Sequence, residues 1–308
     1  MKILVTGGAG FIGSHIVDKL IESGHDVVIA DNLSSGILSN VNAKAKFFNI
    51  NIADDNIKKL FSEFNFEIIY HLASQIDLNL SVKDPVSDAE TNIIGTLNLL
   101  QNSVKFGVRK FIFSSSGGAI YGEQTSFPAN ESHPAKPQSP YGISKLTVEK
   151  YLDFYNNIYG LKYFILRYSN VYGPRQNLNG ECGVVSIFCR KILSGKQPVI
   201  NGDGLQTRDF VYVDDVVNAN VIVLDYNESK ILNISSGKET TINELYQIIS
   251  NNYGNKFEMV HSPEINPGQQ RSVLDNKYAL DELHWIPRTD INEGLSKTCK
   301  WFKDYFEN

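Results

Sequence analysis

The sequence is poor in cysteine. Of 308 residues only Cys182, Cys189 and Cys299 are cysteines, and no two of them form a C-x-x-C pair. An odd count without such a pair argues against a disulfide framework and against a zinc ribbon. No cluster of His, Cys and Asp has the spacing of metal ligands either. We therefore expect free, buried thiols, a reducing compartment and no bound metal.

Long apolar runs and clustered positive charge are also missing. No stretch approaches the ~18 apolar residues of a membrane span, and the apolar start Ile3-Leu4-Val5 is shorter than the core of a signal peptide. Lys and Arg number 29 against 34 Asp and Glu, a net charge of −5. Such a chain is a poor candidate for binding nucleic acid. We expect a cytoplasmic protein that contacts neither nucleic acid nor membrane.

The first half of the chain alternates between two hydrophobic periods. Apolar residues make up 42 % of the sequence, which is typical of a globular protein. Alternating strand and helix patterns predict βαβ units, hence a doubly wound parallel sheet. The predicted strands are 2–6, 26–30, 46–50, 67–72 and 110–114, and the predicted helices are 12–23, 57–64 and 89–106.

After Gly173 the pattern changes, because turn-forming residues become frequent. Helical patterns remain at 184–193, 214–224 and 242–250. We predict a second, smaller, mixed α/β domain, interleaved with the first. The first domain is expected to comprise 1–167 and about 208–235, and the second about 168–207 and 236–308.

A glycine-rich turn lies between the first strand and the first helix. Gly7, Gly10 and Gly13 are spaced G-x-x-G-x-x-G, which suits a tight turn, a close approach of backbone to a pyrophosphate, and helix–strand packing. Asp31 follows 18 residues after Gly13, at the end of the second strand. A carboxylate there can accept the ribose hydroxyls, and it would repel a 2′-phosphate. The segment therefore predicts NAD rather than NADP.

A tyrosine and a lysine four residues apart carry the predicted chemistry. Tyr141 and Lys145 share one helix face. An ammonium near the phenol lowers the tyrosine pKa from ~10 toward neutrality, which makes a general base suited to a sugar hydroxyl. The serines at 114–116 end the preceding strand, where a hydroxyl can orient the same proton transfer.

Ordered motifs through nearly the whole chain resemble one family. They are TGGAGFIGSH at 6–15, DNLSSG at 31–36, HLASQ at 71–75, SxxDP at 81–85, NxxGTxNLL at 92–100, SSSGGAIYG at 114–122, SPYGISK at 139–145, LRYSNVYGPRQ at 166–176, GDGLQTRDFVYVDD at 202–215, NISSGKETTINEL at 233–245 and LDNKYALDELHWIP at 274–287. The sequence resembles an extended short-chain dehydrogenase/reductase of the NAD-dependent sugar epimerase/dehydratase family, nearest to the UDP-glucose 4-epimerase group. The resemblance implies a Rossmann-type domain and inversion of C4 of a UDP-hexose through a 4-keto sugar.

The resemblance also implies residue roles toward NAD. Phe11 and Ile12 line the pyrophosphate turn, Asn51 and Ile52 lie against adenine, and Tyr168 is near the nicotinamide. Lys145 binds the nicotinamide ribose. The adenosine ribose is held by the loop Asp31, Asn32, Leu33, Ser34, Ser35 and Gly36, and the cofactor is bordered by Leu72, Ala73, Ser74, Gln75 and Asn92.

For catalysis and substrate the resemblance implies a second set. Tyr141 is the base and Lys145 its partner, with Ser116 as the catalytic hydroxyl and Ser115 in reserve. Toward the UDP-sugar it implies Asn170 near the diphosphate, Val184, Val185, Val199 and Asn201 around the uracil, and Arg208 on a phosphate. A homodimer through helices near 89–106 and 142–158 is implied as well.

Two departures from the family pattern stand out. Gly117-Gly118 lengthens the loop before Tyr121, which is why two serines stay open, and Asn266 and Gln269 replace the usual Arg and Asp. Arg271 is the candidate to supply the missing charge. The resemblance places Ser272 or Val273, both small, at the space around C2 of the sugar, so N-acetyl forms are expected to fit.

Three other functions stay open. A nucleotide-sugar 4,6-dehydratase needs an acid and a base where Gly117 and Gly118 stand. A decarboxylase or reductase is a second alternative, and a non-catalytic NAD-binding protein is the third.

Overall fold

The computed structural model describes residues 1–177, 183–263 and 269–307. In chain order its strands are β1 (Lys2–Thr6), β2 (Asp26–Asp31), β3 (Lys46–Asn49), β4 (Ile68–His71), β5 (Lys110–Ser116), β6 (Lys162–Tyr168), β7 (Asn170–Tyr172), β8 (Ile200–Asn201), β9 (Thr207–Arg208), β10 (Phe210–Tyr212), β11 (Lys230–Ile234), β12 (Thr240–Thr241), β13 (His261–Ser262) and β14 (Arg271–Ser272). Its helices are α1 (Phe11–Glu22), α2 (Ile57–Phe64), α3 (Leu78–Lys83), α4 (Pro85–Ala89), α5 (Gly95–Lys105), α6 (Gly117–Ile120), α7 (Pro140–Tyr159), α8 (Val184–Leu193), α9 (Val213–Ile222), α10 (Ile242–Asn252), α11 (Lys277–Leu283) and α12 (Ile291–Glu307).

Seven strands form one central sheet in the order β3-β2-β1-β4-β5-β6-β11, and every pairing in it is parallel. The predicted Rossmann-type sheet is thereby confirmed. All five strands predicted from the sequence are present. Strands β6 and β11 were not predicted, although Gly160 and the apolar run at 163–166 are local signals for β6.

Helices cover both faces of the sheet. Ile3 and Val5 of β1 pack into the core beneath α1 and α9, whereas Leu4 between them packs beneath α2 and α5. This alternation follows from the two-residue period of a strand. Because helices cover both faces, a ligand is expected at the edge of the sheet where the carboxyl-terminal ends of the strands lie.

One predicted helix differs from the structure. The segment predicted as helical over 89–106 passes through a π-helical turn at Glu90–Ile94 between α4 and α5. Such turns add one residue to a helix and often lie at functional sites. Here the turn contains Asn92, which is buried and points to the loop after β4.

The remaining strands form three small sheets, with orders β10-β7, β12-β9-β14 and β13-β8. Helices α8, α10 and α12 pack on one another beside them. Cys189 and Cys299 meet there as buried free thiols, with their sulfurs 3.8 Å apart. Cys182 lies outside the described residues. Within the described ranges, no helix is both long and apolar enough to span a membrane.

Candidate active site

The glycine turn between β1 and α1 is built for close contact with a ligand. Gly7 has φ +72°, and a Cβ on it would lie 2.6 Å from the backbone nitrogen of Ala73. A Cβ on Gly13 would lie 2.1 Å from the carbonyl oxygen of Gly7. Helix α1 starts at Phe11 with no side-chain cap and no acid in its first turn. Its first N–H groups and its positive end therefore suit a pyrophosphate.

Asp31 ends β2 directly beside this turn. Its carboxylate accepts from the backbone N–H groups of Ala9 (3.0 Å) and Leu33 (2.8 Å). A Cβ on Gly36 would come within 2.9 Å of that carboxylate. Within the described ranges no basic side chain pairs with it, so nothing beside it favours a 2′-phosphate. Asn32, Ser34 and Ser35 follow as an exposed loop.

The loop after β4 lies at the same end of the sheet as the glycine turn. Leu72, Ala73, Ser74 and Gln75 are half-buried along it. Asn92 fixes this loop, since its Oδ1 accepts from Ser74 Oγ (2.8 Å) and from the Gln75 backbone N–H (2.8 Å).

The predicted adenine contacts lie at the outer part of the edge, after β3. There Asn51 is exposed and Ile52 is buried. The residues of this edge fit a dinucleotide.

Tyr141 and Lys145 lie on the first turns of α7. The helix begins with Pro140, and Ser139 caps it by accepting from the Gly142 N–H. The Lys145 Nζ lies 5.7 Å from the centre of the Tyr141 ring and donates to the Ser114 carbonyl at 2.9 Å. Burial lowers the pKa of Lys145 to about 7, against the opposing effect of the carboxylates of Asp88 and Glu149.

The two serine candidates point in different directions. Ser116 ends β5, is half-buried, and caps α6 by accepting from the Ala119 N–H at 3.3 Å. Ser115 lies on the opposite face of the strand and donates to Glu149 at 2.7 Å, in a buried cluster with Arg167. The Ser115 hydroxyl is thus engaged in that cluster, which favours Ser116 as the candidate catalytic hydroxyl.

Two histidines serve packing. His71 lies between the hydroxyls of Thr6 and Thr96, each at 2.8 Å, and burial together with Lys145 lowers its pKa to about 3. It is neutral and packs at the end of β4. His15 on α1 is partly buried and hydrogen-bonds the Pro174 carbonyl at 2.9 Å.

The two arginines predicted to bind substrate, Arg208 and Arg271, lie on the neighbouring strands β9 and β14 of one small sheet. The strands pair Thr207 with Arg271 and Arg208 with Ser272, so Arg208 and Arg271 face opposite sides of this small sheet. Arg271 makes a bidentate ion pair with Glu239, both contacts at 2.7 Å. The prediction that Arg271 supplies the missing substrate charge is therefore not supported.

Arg208 differs in having no carboxylate within 4.0 Å among the described residues. Its Nη1 donates to the Thr207 carbonyl at 2.7 Å, and burial lowers its pKa. A half-buried guanidinium without an ion-pair partner suits a phosphate. Gln269 is described, but Asn266 lies outside the described residues.

The other residues predicted to bind the UDP-sugar differ in how far they are exposed to solvent. Asn170 and Asn201 are exposed, and Val184 and Val199 are half-buried. Val185 is 1 % exposed and belongs to the core, because it follows the buried face of α8.

The side chain of Tyr168 is likewise buried. Its hydroxyl hydrogen-bonds the Asn220 side chain, and burial raises its pKa to about 12. A contact of Tyr168 with the nicotinamide would therefore have to come mainly from its backbone.

Sequence reasoning did not single out Asp209 and Asp88, which are among the buried carboxylates. Asp209 accepts from Ser169 Oγ, from the backbone N–H and hydroxyl of Ser236, and from the N–H groups of Gly237 and Leu274, and so joins the segments around the substrate side. Asp88 accepts from the hydroxyl of Ser144, the residue before Lys145. Each stands inside or beside a quoted motif, but nothing in the motif distinguishes it from an exposed acid.

Comparison with known families agrees with this geometry. The model of the NAD-dependent epimerase/dehydratase family matches residues 3–235. The chain belongs to this family.

Among curated relatives, a protein named putative UDP-glucose 4-epimerase from Methanocaldococcus jannaschii is 48 % identical over 98 % of both chains. The solved UDP-glucose 4-epimerase of Thermotoga maritima with UDP-glucose is 48 % identical, with a TM-score of 0.97 over 99 % of both chains. A UDP-N-acetylglucosamine 4-epimerase from Methanobrevibacter ruminantium, solved with UDP-N-acetylmuramic acid, is 37 % identical, with a TM-score of 0.93 over 99 % of this chain and 98 % of that one.

Proposed function

We propose that the protein is an NAD-dependent epimerase that inverts C4 of a UDP-hexose, interconverting UDP-glucose and UDP-galactose. The observation that carries the proposal is the position of Tyr141 and the buried Lys145 at the sheet edge that also holds the glycine turn. The names of the full-length relatives point the same way.

The chain's own residues account for the proton chemistry. When bound, NAD supplies reversible hydride acceptance at C4 of the sugar. Tyr141 takes the proton of the 4-hydroxyl and returns it after the keto sugar has turned over. The charge on Lys145 favours the phenolate form of Tyr141. The Ser116 hydroxyl orients the transfer by hydrogen-bonding the same sugar oxygen.

The substrate is held by its nucleotide rather than by its sugar. Arg208 pairs with a phosphate of the diphosphate, with Asn170 beside it, while Val184, Val199 and Asn201 border the uracil. An anchored diphosphate leaves the pyranose free to present either face. This freedom is what epimerisation at C4 requires.

The two glycines that follow Ser116 argue against the alternative function of a 4,6-dehydratase. Elimination of water across C5 and C6 needs an acid and a base next to the catalytic hydroxyl. Gly117 and Gly118 follow Ser116 directly and begin α6, and neither has a side chain.

The test is product analysis with purified protein. We expect bound NAD in the protein as isolated and conversion of UDP-galactose to UDP-glucose with no change of mass. A product lighter by one water would indicate dehydration. Bound NAD with no turnover of any UDP-sugar would contradict the proposal and favour a non-catalytic NAD-binding protein.

We further propose that N-acetyl sugars are accepted. Ser272 shares the face of Arg208, and Val273 follows it, so both candidates for the C2 position are small. Arg271 points away, toward Glu239, and so leaves the space open. A relative solved with UDP-N-acetylmuramic acid carries the name of a UDP-N-acetylglucosamine 4-epimerase.

The measurement compares kcat/KM for UDP-glucose and UDP-N-acetylglucosamine. We expect a ratio well below a hundredfold, because Ser272 and Val273, the two candidates for the C2 position, are both small. A preference for UDP-glucose above about a hundredfold, ~2.7 kcal/mol, would contradict the open pocket.

A homodimer belongs to the same proposal. Ile143, Tyr151, Phe154 and Ile158 form an exposed apolar stripe along α7, with Ile158 61 % exposed. Exposed valines on α3 and α4, which pack against α7, adjoin this α7 stripe. Patches of this kind mark contact surfaces.

The oligomer is tested by light scattering after size exclusion. We expect twice the chain mass of 34.5 kDa, and a shift to monomer in Ile158→Lys. Leu280→Lys on α11, also at an exposed apolar position, should leave the dimer intact. A monomeric wild type would overturn this proposal without touching the activity.

The domain division and cellular location stay predictions. The inclusion of β11 in the central sheet and the packing of α9 on α1 support assigning about 208–235 to the NAD-binding domain. The unbonded thiols of Cys189 and Cys299 support a reducing cytoplasm.

A further inference from the structure

Asp88 on α4 is a buried carboxylate whose side-chain partners, among the described residues, are all neutral. It is 1 % exposed. Its Oδ1 accepts from Asn92 Nδ2 at 3.0 Å and from Gln75 Nε2 at 3.1 Å, and its Oδ2 accepts from Ser144 Oγ at 2.6 Å. Across the described ranges no basic side chain lies within 4.0 Å of it.

Burying an ionised carboxylate among neutral donors lowers the stability of the fold, so a purely structural role does not explain the charge. Three neutral donors can be satisfied by a neutral amide or hydroxyl, whereas a buried charge carries a desolvation penalty. Both oxygens accept, which is the pattern of an ionised carboxylate. The charge itself therefore requires an explanation.

The position of Asp88 supplies one. Ser144, which donates to it, immediately precedes Lys145 on α7, and Asn92 and Gln75 belong to the cofactor edge. Asp88 thus connects the loop that borders NAD with the helix that carries the base. The carboxylate of Asp88 also raises the pKa of Lys145, against the lowering effect of burial.

The other ionisable groups around Lys145 do not provide an uncompensated negative charge. Glu149 is paired with Arg167, His71 is neutral, and Tyr168 is hydrogen-bonded to Asn220. Of the remaining charged groups on elements packed against α7, Lys110 at the start of β5 is buried and donates to the carbonyls of Val223 and Leu224. The others are solvent-exposed: Lys83, Asp84, Glu90, Lys105 and Lys162.

We propose that Asp88 is a positioning residue that acts through Lys145, as the buried countercharge that keeps the ammonium in place beside Tyr141. The proposal rests on the proposed function in its catalytic part. Its electrostatic part concerns Lys145 alone and can be measured without turnover.

The experiment compares Asp88→Asn, which keeps the size and removes the charge, with Ser144→Ala, which removes one hydrogen bond and keeps the charge. The direct readout is the pH titration of the Lys145 ¹³Cε NMR resonance, assigned by its absence in Lys145→Arg. Loss of a nearby negative charge destabilises the ammonium. We therefore expect the Lys145 pKa to fall by about one unit in Asp88→Asn and to stay unchanged in Ser144→Ala.

The second readout is the pH profile of kcat. Since the protonated lysine is the active form, its alkaline limb should move about one pH unit lower in Asp88→Asn only. Asp88→Ser, a second neutral variant, is measured alongside, so that the result does not depend on one substitution folding.

The outcomes separate the two proposals. An inactive wild type would contradict the proposed function and leave the NMR titration to decide the role of Asp88. An unchanged Lys145 pKa in both Asp88→Asn and Asp88→Ser would contradict the proposal that Asp88 is the countercharge. Equal shifts in Ser144→Ala and Asp88→Asn would also overturn it, because hydrogen bonding alone would then be the cause.

Discussion

The cofactor side and the sugar side of the proposed site are assembled in different ways. The cofactor side is largely local: the glycine turn lies between β1 and α1, and Asp31 ends the next strand. The sugar side joins Ser116, Asn170, Arg208 and Ser272, which come from four distant segments held partly by Asp209. Substitutions on the two sides should therefore fail differently, the first by losing NAD and the second by losing substrate.

The largest effect is expected where the two sides meet, at Tyr141. Tyr141→Phe removes the hydroxyl that transfers the proton, so kcat should fall ~10²–10⁴-fold. Bound NAD, measured after denaturation, should be retained because the glycine turn and Asp31 are untouched. Wild-type turnover in this variant would remove Tyr141 from the role of base.

Arg208→Ala tests the sugar side alone. Loss of a charge-assisted hydrogen bond of ~1.5–3 kcal/mol should lower kcat/KM for UDP-glucose by about 10- to 100-fold. NAD content should not change. Arg271→Ala is the matched control, since that arginine faces the opposite side and pairs with Glu239. A larger loss in the control would show that the two arginines have been assigned the wrong way round.

Gly13→Ala tests the cofactor side alone. The added Cβ would lie 2.1 Å from the Gly7 carbonyl oxygen, and that atom is backbone. Overpacking of ~1–3 kcal/mol should weaken NAD at least several-fold. Affinity for UDP, measured by calorimetry, is the internal control and should hold. Equal weakening of both ligands would mean that the two sides are not independent.

Gly117→Ala should give the smallest effect. Its Cβ would meet Leu274 Cδ1 at 2.4 Å, and the end of a flexible side chain can move. We expect a few-fold rise in the KM for UDP-glucose because Leu274 follows Val273 in the substrate segment. Gly118→Ala is the control, since a Cβ there meets nothing within 4 Å. Similar effects of both would exclude the Leu274 contact as the cause.

Features that depend on residues close together in the sequence could be predicted, whereas features that depend on distant residues could not. The helix at 57–64 and the helix at 184–193 agree with the structure to the residue, because an apolar face of period 3.6 is a local signal. The π-helical turn at Glu90–Ile94 was not predicted, because it leaves that pattern nearly unchanged. Strand β6 was not predicted although its signal, Gly160 followed by an apolar run at 163–166, is local.

The sequence by itself determined the parallel sheet, the glycine turn, Asp31 and the Tyr141–Lys145 pair, because strand, turn and helix signals each depend on residues a few positions apart. Only the tertiary structure decided the direction of side chains. Ser115 is turned to Glu149 and Arg271 to Glu239 because strand register and buried charge pairing, which join residues far apart in the chain, set their orientation. The proposed role of Asp88 follows from the structure for the same reason: it depends on the packing of α4 against α7, which buries Asp88 beside Ser144.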